Sequence, residues 1–461
     1  MTRALLLVIL LLAPAAGAQI LPRAPLPSLP GGLPGSVPGG VGLPLGAQQT
    51  LGALTEDAGR LEDARKLSIR VLLRRHSDVL EADPSGNPIV RGEVLAYSPS
   101  DTALSGAVSA GFSILRQRSL DDLGVRIVVL AAPQGMGTSR ALRLLRRLDP
   151  RGTYDFNNIY MQGGVATGGG AAPSGDGVPA NVNAPAPAHV GAPANAAGVP
   201  LGLIDGGVGT TLPVFQGVTV HQHGCGDAAI ASTHGTEVAS LMVGRSARFG
   251  GAAPGATLYA ADVYCGKPTG GAVDEIAAAF AWLVAEHVRV INVSLVGPAN
   301  ILLQQVVARV VAQGLLIVAA VGNDGPAAPP LYPAAYPGVV GVTAVDSRRR
   351  VIFEAERGPQ VMFAAPGADI AAAEASGGFA TVRGTSFAAP LVAGLLAVRL
   401  HDVVAVPAPD PPPPPAPDPT VAADAAVAAL AREAIHLGSP GRNTVFGYGL
   451  VGADLPSPRP N

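Results

Sequence analysis

Pro200-Leu201-Gly202-Leu203-Ile204-Asp205 is a short apolar run that ends on a carboxylate. The run is continuous, with no polar alternation, so it predicts a strand buried on both faces. Further runs of this kind follow at Ala256 to Val263, Val288 to Val293, Leu315 to Ala320 and Val339 to Val345. Helical patterns lie between them, over Thr236 to Val243, Val273 to Glu286 and Ile301 to Gln313. This alternation predicts an α/β fold, a parallel sheet flanked by helices on both faces. Functional residues in such sheets gather at the carboxyl ends of the strands. Asp205 stands at one such end, and Asn323 of Val321-Gly322-Asn323-Asp324-Gly325 stands at another.

Upstream, residues 88 to 162 predict a small α+β unit. Its expected strands are Ile89 to Tyr97, Val125 to Leu130 and Tyr154 to Met161. One expected helix is capped by Asp101 and carries Leu104, Val108, Phe112 and Leu115. A second is capped by Ser139 and carries Leu142, Leu145 and Leu148. A charged helical pattern from Leu51 to Val79 joins this unit, which makes 47–162 one α+β region. Residues 19–46, rich in Pro, Gly and Leu, read as a leader. Residues 163–199, rich in Gly, Ala, Pro and Asn, read as a linker open to proteases. A proline-rich tract over 405–420 reads as an insertion in the larger unit, 200–455.

Residues 1–18 have the form of a secretory signal: Arg3, an apolar run from Ala4 to Ala13, then Ala16-Gly17-Ala18. Cleavage is expected after Ala18, which implies a secreted or periplasmic protein with no stable membrane anchor. The chain has 461 residues, of which 48% are hydrophobic and 14% charged, enough for a large core beneath a charge-poor surface. A formal net charge of -2 gives no reason to expect a nucleic-acid partner. The chain has two cysteines, Cys225 and Cys265, an even pair that an exported protein can oxidise. His221-Gln222-His223-Gly224-Cys225 has the look of a metal-ligand cluster, but a surface loop is the preferred reading.

The chemistry centres on Arg383-Gly384-Thr385-Ser386-Phe387-Ala388-Ala389-Pro390, ahead of an apolar helical pattern from Leu391 to Leu400. Alone, Ser386 reads as a helix cap. Acyl transfer by serine needs a base, a group that orients the base, and donors for an oxyanion. His234, at the start of a helix, is a candidate base. Asp205 is a candidate partner for it, and the amide of Asn323 a candidate donor.

Four blocks resemble the signature blocks of the subtilisin-like serine proteases, or subtilases. They are Leu203-Ile204-Asp205-Gly206-Gly207-Val208, His234-Gly235-Thr236-Glu237-Val238-Ala239-Ser240, Val321-Gly322-Asn323-Asp324-Gly325 and Gly384-Thr385-Ser386-Phe387-Ala388-Ala389-Pro390. Their order, Asp then His then Ser, is that of the family. The resemblance implies Ser386 as nucleophile, His234 as general base and acid, Asp205 as orienting carboxylate and Asn323 as oxyanion donor. It implies an extended peptide bound between Thr269-Gly270-Gly271 and Ser294-Leu295-Val296. It also implies that the α+β unit is a propeptide, cut off by the enzyme itself between Met161 and Val199. A disulfide between Cys225 and Cys265 is favoured, because those positions are close in the family's fold.

The chain departs from the family at Gly206, where Ser or Thr is usual. Glu237 stands in place of a second histidine, Ser240 in place of glycine, and Val296 in place of glycine beside the pocket. The stretch from Val243 to Pro254 is shorter than in members with a calcium loop there, so no metal or cofactor is expected. The reading is a secreted, self-processing serine endopeptidase, monomeric, acting on proteins or peptides and bound by its own propeptide. The alternative is a catalytically weak or inactive binding protein on the same fold. A serine esterase would need Gly-x-Ser-x-Gly, which Ser386 lacks.

Overall fold

A computed structural model describes residues 61, 63–162, 196–226, 229–245, 250–404 and 418–455. All of them fall in the unit Gly52–Asn461. The expected signal (1–18) and leader (19–46) lie outside the described residues, as do 163–195 of the linker and 405–417 of the proline tract.

The chain enters through a helix over residues 63–75, α1. It continues through β1 (Leu80–Ala82), β2 (Pro88–Tyr97), α2 (Asp101–Ser109), β3 (Ser113–Leu120), β4 (Val125–Ala131), α3 (Thr138–Leu148) and β5 (Thr153–Gln162). The larger region begins with β6 (Pro200–Asp205), β7 (Val220–His223), α4 (Thr233–Val243), β8 (Thr257–Asp262), β9 (Gly271–Ala272) and α5 (Val273–Ala285). It goes on through β10 (Val290–Val293), β11 (Leu295–Val296), α6 (Ile301–Ala312), β12 (Leu316–Ala320), β13 (Val339–Val345) and β14 (Val361–Pro366). A hairpin, β15 (Ala368–Ala373) and β16 (Phe379–Arg383), leads into α7 (Thr385–Val404), and α8 (Pro419–Glu433) closes the fold.

The central sheet has seven strands in the order β14-β13-β12-β10-β6-β8-β7, all parallel. Successive side chains of a strand point to opposite faces. Leu201 and Leu203, Val290, Leu316 and Val318 therefore pack into one layer, shared with residues of α4, α7 and α8. Ile204, Ile291 and Val293, Ile317 and Ala319 pack into the other, with residues of α5 and α6. Both faces are dry, which is why these strands read as continuous apolar runs. The strand order turns at β6, the first strand laid down, so Asp205 ends its strand at a switch point.

The smaller sheet is antiparallel, β5-β2-β4-β3, with β1 on β2. It too is covered on both faces. Val94, Ala96, Val128 and Leu130 meet α2 and α3. Leu95, Ile127 and Val129 share a core with residues of α5 and α6. Its strand β5 also pairs outside the unit, antiparallel to β9 and to β11.

The structure corrects several sequence expectations. The cap of α2 is Ser100, whose side chain accepts from Ala103 N, and the helix stops at Ser109. Gly111, at φ 93, ends it, and Leu115 falls on β3, which the helical spacing had concealed. The cap position of α3 is Gly137, two residues before Ser139. Strands β7 and β14 and the β15–β16 hairpin were not expected. α7 is also long and apolar enough to cross a membrane, with a mean hydropathy of 1.6, but 67% of that stretch is buried within the fold.

Candidate active site

Asp205 is fully buried at the end of β6. Its Oδ1 accepts from Gly206 N at 2.7 Å. His234 lies in the first turn of α4, whose cap is Ser232, with Oγ accepting from Gly235 N at 2.9 Å. A Cβ at Gly235 would come within 2.2 Å of Gly206 O, so only glycine lets α4 start this close to the end of β6. His234 Nδ1 lies 3.0 and 2.9 Å from the two Asp205 oxygens. A carboxylate only accepts, so Nδ1 carries the proton and Nε2 is left as the basic nitrogen. Burial pulls the His234 pKa down, but the Asp205 charge and hydrogen bond, with Glu237 behind them, hold it above its ordinary value.

The departure at Gly206 has a local cause. A Cβ there would sit 2.3 Å from Ser232 Oγ and 2.8 Å from Ser232 Cβ. The capping serine of α4 fills the space that a side chain at position 206 would need.

Ser386 is the second residue of α7 and 1% exposed, so it is not the cap that it resembles in isolation. Gly384, at φ 145, makes the turn from β16 into the helix. Ser386 Oγ donates to Ser294 O at 3.4 Å, and Ser294 Oγ donates back to Ser386 O at 2.9 Å. Asn292 Nδ2 in turn donates to Ser294 Oγ at 2.9 Å. The His234 ring lies 5.4 Å from that of Phe387, the residue that follows Ser386. Among the described residues no hydrogen bond joins His234 to Ser386.

Asn323 follows β12. Its Oδ1 accepts from Thr385 N at 3.0 Å, and the neighbouring Gly322 N donates to Thr385 Oγ1 at 3.2 Å. Because Oδ1 must face that N–H, the orientation of the amide is fixed. Its Nδ2 is buried with no partner. An unsatisfied buried donor costs about 1–3 kcal/mol, so an acceptor that reached Nδ2 would be favoured there.

The expected substrate-lining residues come together around β5. Tyr160 pairs with Gly271 and Ile159 with Ala272 on one edge. Met161 pairs with Val296 and Gln162 with Leu295 on the other. A Cβ at Gly270 would lie 2.4 Å from Tyr160 O. Ser294 is the exception, because its hydroxyl is turned toward Ser386. The Tyr160 ring lies over Gly297, where a Cβ would come within 2.7 Å, and its hydroxyl donates to Pro298 O at 2.5 Å.

Residues that the sequence reading did not single out hold the smaller unit in place. Arg116 donates to both oxygens of Glu93, at 2.9 and 2.7 Å, and to the buried Asp274 at 2.7 Å. Asn157 bridges Glu93 and Asp274, and Asp155 accepts from Ile301 N, the first residue of α6. The alternating Arg116-Gln117-Arg118 pattern was the available signal, and it reads equally well as a solvated face.

The Sγ atoms of Cys225 and Cys265 lie 2.12 Å apart, as a disulfide. Asp262 beside them accepts from Ile230 N, Tyr264 N and Cys265 N, and so is fully engaged by backbone. His221 and His223 stack on Tyr259 and Trp282.

A switch-point carboxylate, a histidine at a helix start, a serine at another and an amide with a free donor are what the subtilases bring together. Residues 197–449 match the Subtilase family, and the chain belongs to it. It is similar to the minor extracellular protease Epr of Bacillus subtilis (strain 168), 31% identical over 222 residues, 47% of this chain and 32% of that one. It is also similar to subtilisin E of the same organism, 35% identical over 176 residues, 37% of this chain and 46% of that one. The chain thus spans a third to a half of the length of these curated relatives. Fervidolysin of Fervidobacterium pennivorans, a keratinolytic enzyme related to subtilisin, shares the fold. Its TM-score is 0.62 at 19% identity, covering 83% of this chain and 63% of that one.

Proposed function

We propose that this chain is an exported serine endopeptidase, made as a zymogen that cleaves itself. The observation that carries the reading is the buried, partnerless Asn323 Nδ2 beside Ser386, next to a His234–Asp205 pair whose free nitrogen is Nε2. Ser386 Oγ leaves Ser294 O, gives its proton to Nε2 and attacks the peptide carbonyl. Asp205 holds the ring in the correct tautomer and stabilises the imidazolium. The oxyanion accepts from Asn323 Nδ2 and from the Ser386 N–H, which has no acceptor among the described residues. His234 then protonates the leaving amine, and water repeats the sequence on the acyl-enzyme.

The substrate is a protein or peptide strand between β9 and β11, the place that β5 fills in this chain. That placement supports residues 88–162 as a propeptide, with the cut a few residues beyond Gln162. The signal-like residues 1–18 and the extracellular relative support export. A serine-directed phosphonate tests the reading. It is expected to label the processed protein once, at Ser386, and to stop casein hydrolysis. A protein that neither takes the label nor cuts casein is the inactive binding protein of the alternative reading.

A further inference from the structure

Glu237 follows His234 by one turn of α4 and takes the place of the family's second histidine. It is 7% exposed, and among the described residues nothing donates a hydrogen bond to its carboxylate. A carboxylate so placed has only His234 and a narrow opening to solvent to balance its charge. Burial pushes its pKa up to about 7, against the pull of His234, and the carboxylates of Glu374 and Asp205 push the same way as burial. No lysine or arginine stands among the groups that act on it.

Glu374 is half-buried at the turn of the β15–β16 hairpin. Ser240, at another of the family departures, fastens that hairpin to α4. Its Oγ donates to Glu237 O at 2.7 Å and accepts from Ala373 N at 3.0 Å. Next to this, a Cβ at Gly209 would lie 3.4 Å from Thr236 Oγ1 and 3.9 Å from Ala375 Cα, so the hairpin turn lies against the start of α4. The two carboxylates thus come from two elements stapled together beside His234.

Their position relative to a substrate follows from β5. That strand runs along β9 and β11 and stops at Gln162 opposite Leu295, one residue short of Ser294, to which Ser386 is bonded. α4 and the hairpin take no part in that pairing. α4 and the hairpin lie on the His234 side of Ser386, outside that pairing, and the half of a substrate that continues past Ser386, which leaves as the amine, is the half free to reach them.

We propose that Glu237 and Glu374 form a subsite for a lysine or arginine side chain within the first two residues after the scissile bond. The inference rests on the protease reading above. An incoming cation supplies the charged hydrogen bonds that Glu237 lacks, and such bonds are the strong ones.

Internally quenched peptides test it, carrying the sequence of residues 157–163 before the cut. They differ in having Lys, Ala or Glu at the two positions after the cut, which mass spectrometry locates. At pH 8 the processed full-length protein is expected to cleave the Lys peptide with a kcat/KM roughly tenfold above the Ala peptide, with Glu below both. That preference is expected to shrink as pH falls below about 7 and Glu237 takes up a proton. Glu237→Gln is expected to bring the Lys-to-Ala ratio close to one, and Glu374→Gln to lower it. The ratio separates loss of the subsite from general damage beside His234. Equal cleavage of Lys and Ala peptides by the wild type, or an intact ratio in Glu237→Gln, would overturn the subsite. Cleavage of none of the peptides would overturn the protease reading and the subsite with it.

Discussion

In the proposed mechanism His234 is the base that sets the working pH. Its role as base needs the neutral ring, and Asp205 and Glu237 hold its pKa above 6.5 in spite of burial. A raised pKa means that the proton is held to higher pH, so activity rises with pH as that proton is lost. The acid limb of kcat/KM is therefore expected to have its midpoint above 6.5, read with a neutral peptide over pH 5 to 9. A midpoint clearly below 6.5 would show that burial, not Asp205, dominates. The places of Asp205 and Asn323 at strand ends and of His234 at a helix start were legible in the sequence because these are local patterns. The pairing of Gly206 with Ser232 was not, because the space that Ser232 fills is visible only once α4 has packed on β6. Nor was the free Nδ2 of Asn323, which depends on a hydrogen bond to Thr385 N, 62 residues away.

The loop that carries Asn323 after β12 rests on another element through Glu356. Glu356 N donates to Gly322 O at 3.2 Å, and Leu331 N donates to Glu356 Oε2 at 3.2 Å, while Oε1 is buried with no partner. Burial, with the nearby Asp324, pushes the Glu356 pKa up to about 9, although the Leu331 hydrogen bond and Arg65 pull it down. Arg65 of α1 is itself paired with Asp324. The folded state thus keeps a proton that the unfolded chain loses above about 4.5. Stability falls as pH rises between those two values, by on the order of 3 kcal/mol at pH 7. Glu356→Gln keeps the shape and removes the titration. It is expected to melt above the wild type at pH 8, with a gap that narrows toward pH 5. A gap independent of pH would contradict this account. Among the elements themselves, β6, β8, β10, β12 and β13 were legible because strands buried on both faces are continuous apolar runs. β7 and β3 were not, since Val220-His221-Gln222-His223 and Ser113-Ile114-Leu115-Arg116 carry no such run.

The whole described molecule is built around one contact between its two parts. Leu95, Ile127 and Val129 share a core with residues of α5 and α6, Arg116 is bound to Asp274, and β5 fills the strand-shaped space beside Ser386. The sequence announced the two parts and their order. It did not announce the latch, since Arg116 and Asp274 stand 158 residues apart and each reads alone as a surface charge. The central claim is that Ser386 cuts its own chain just beyond β5. Intact-mass analysis of the purified precursor, wild type against Ser386→Ala, tests it directly. The wild type is expected to split into two species whose boundary lies a few residues after Gln162, and the Ser386→Ala chain to stay whole. Cleavage of the variant at the same bond and the same rate would contradict the account.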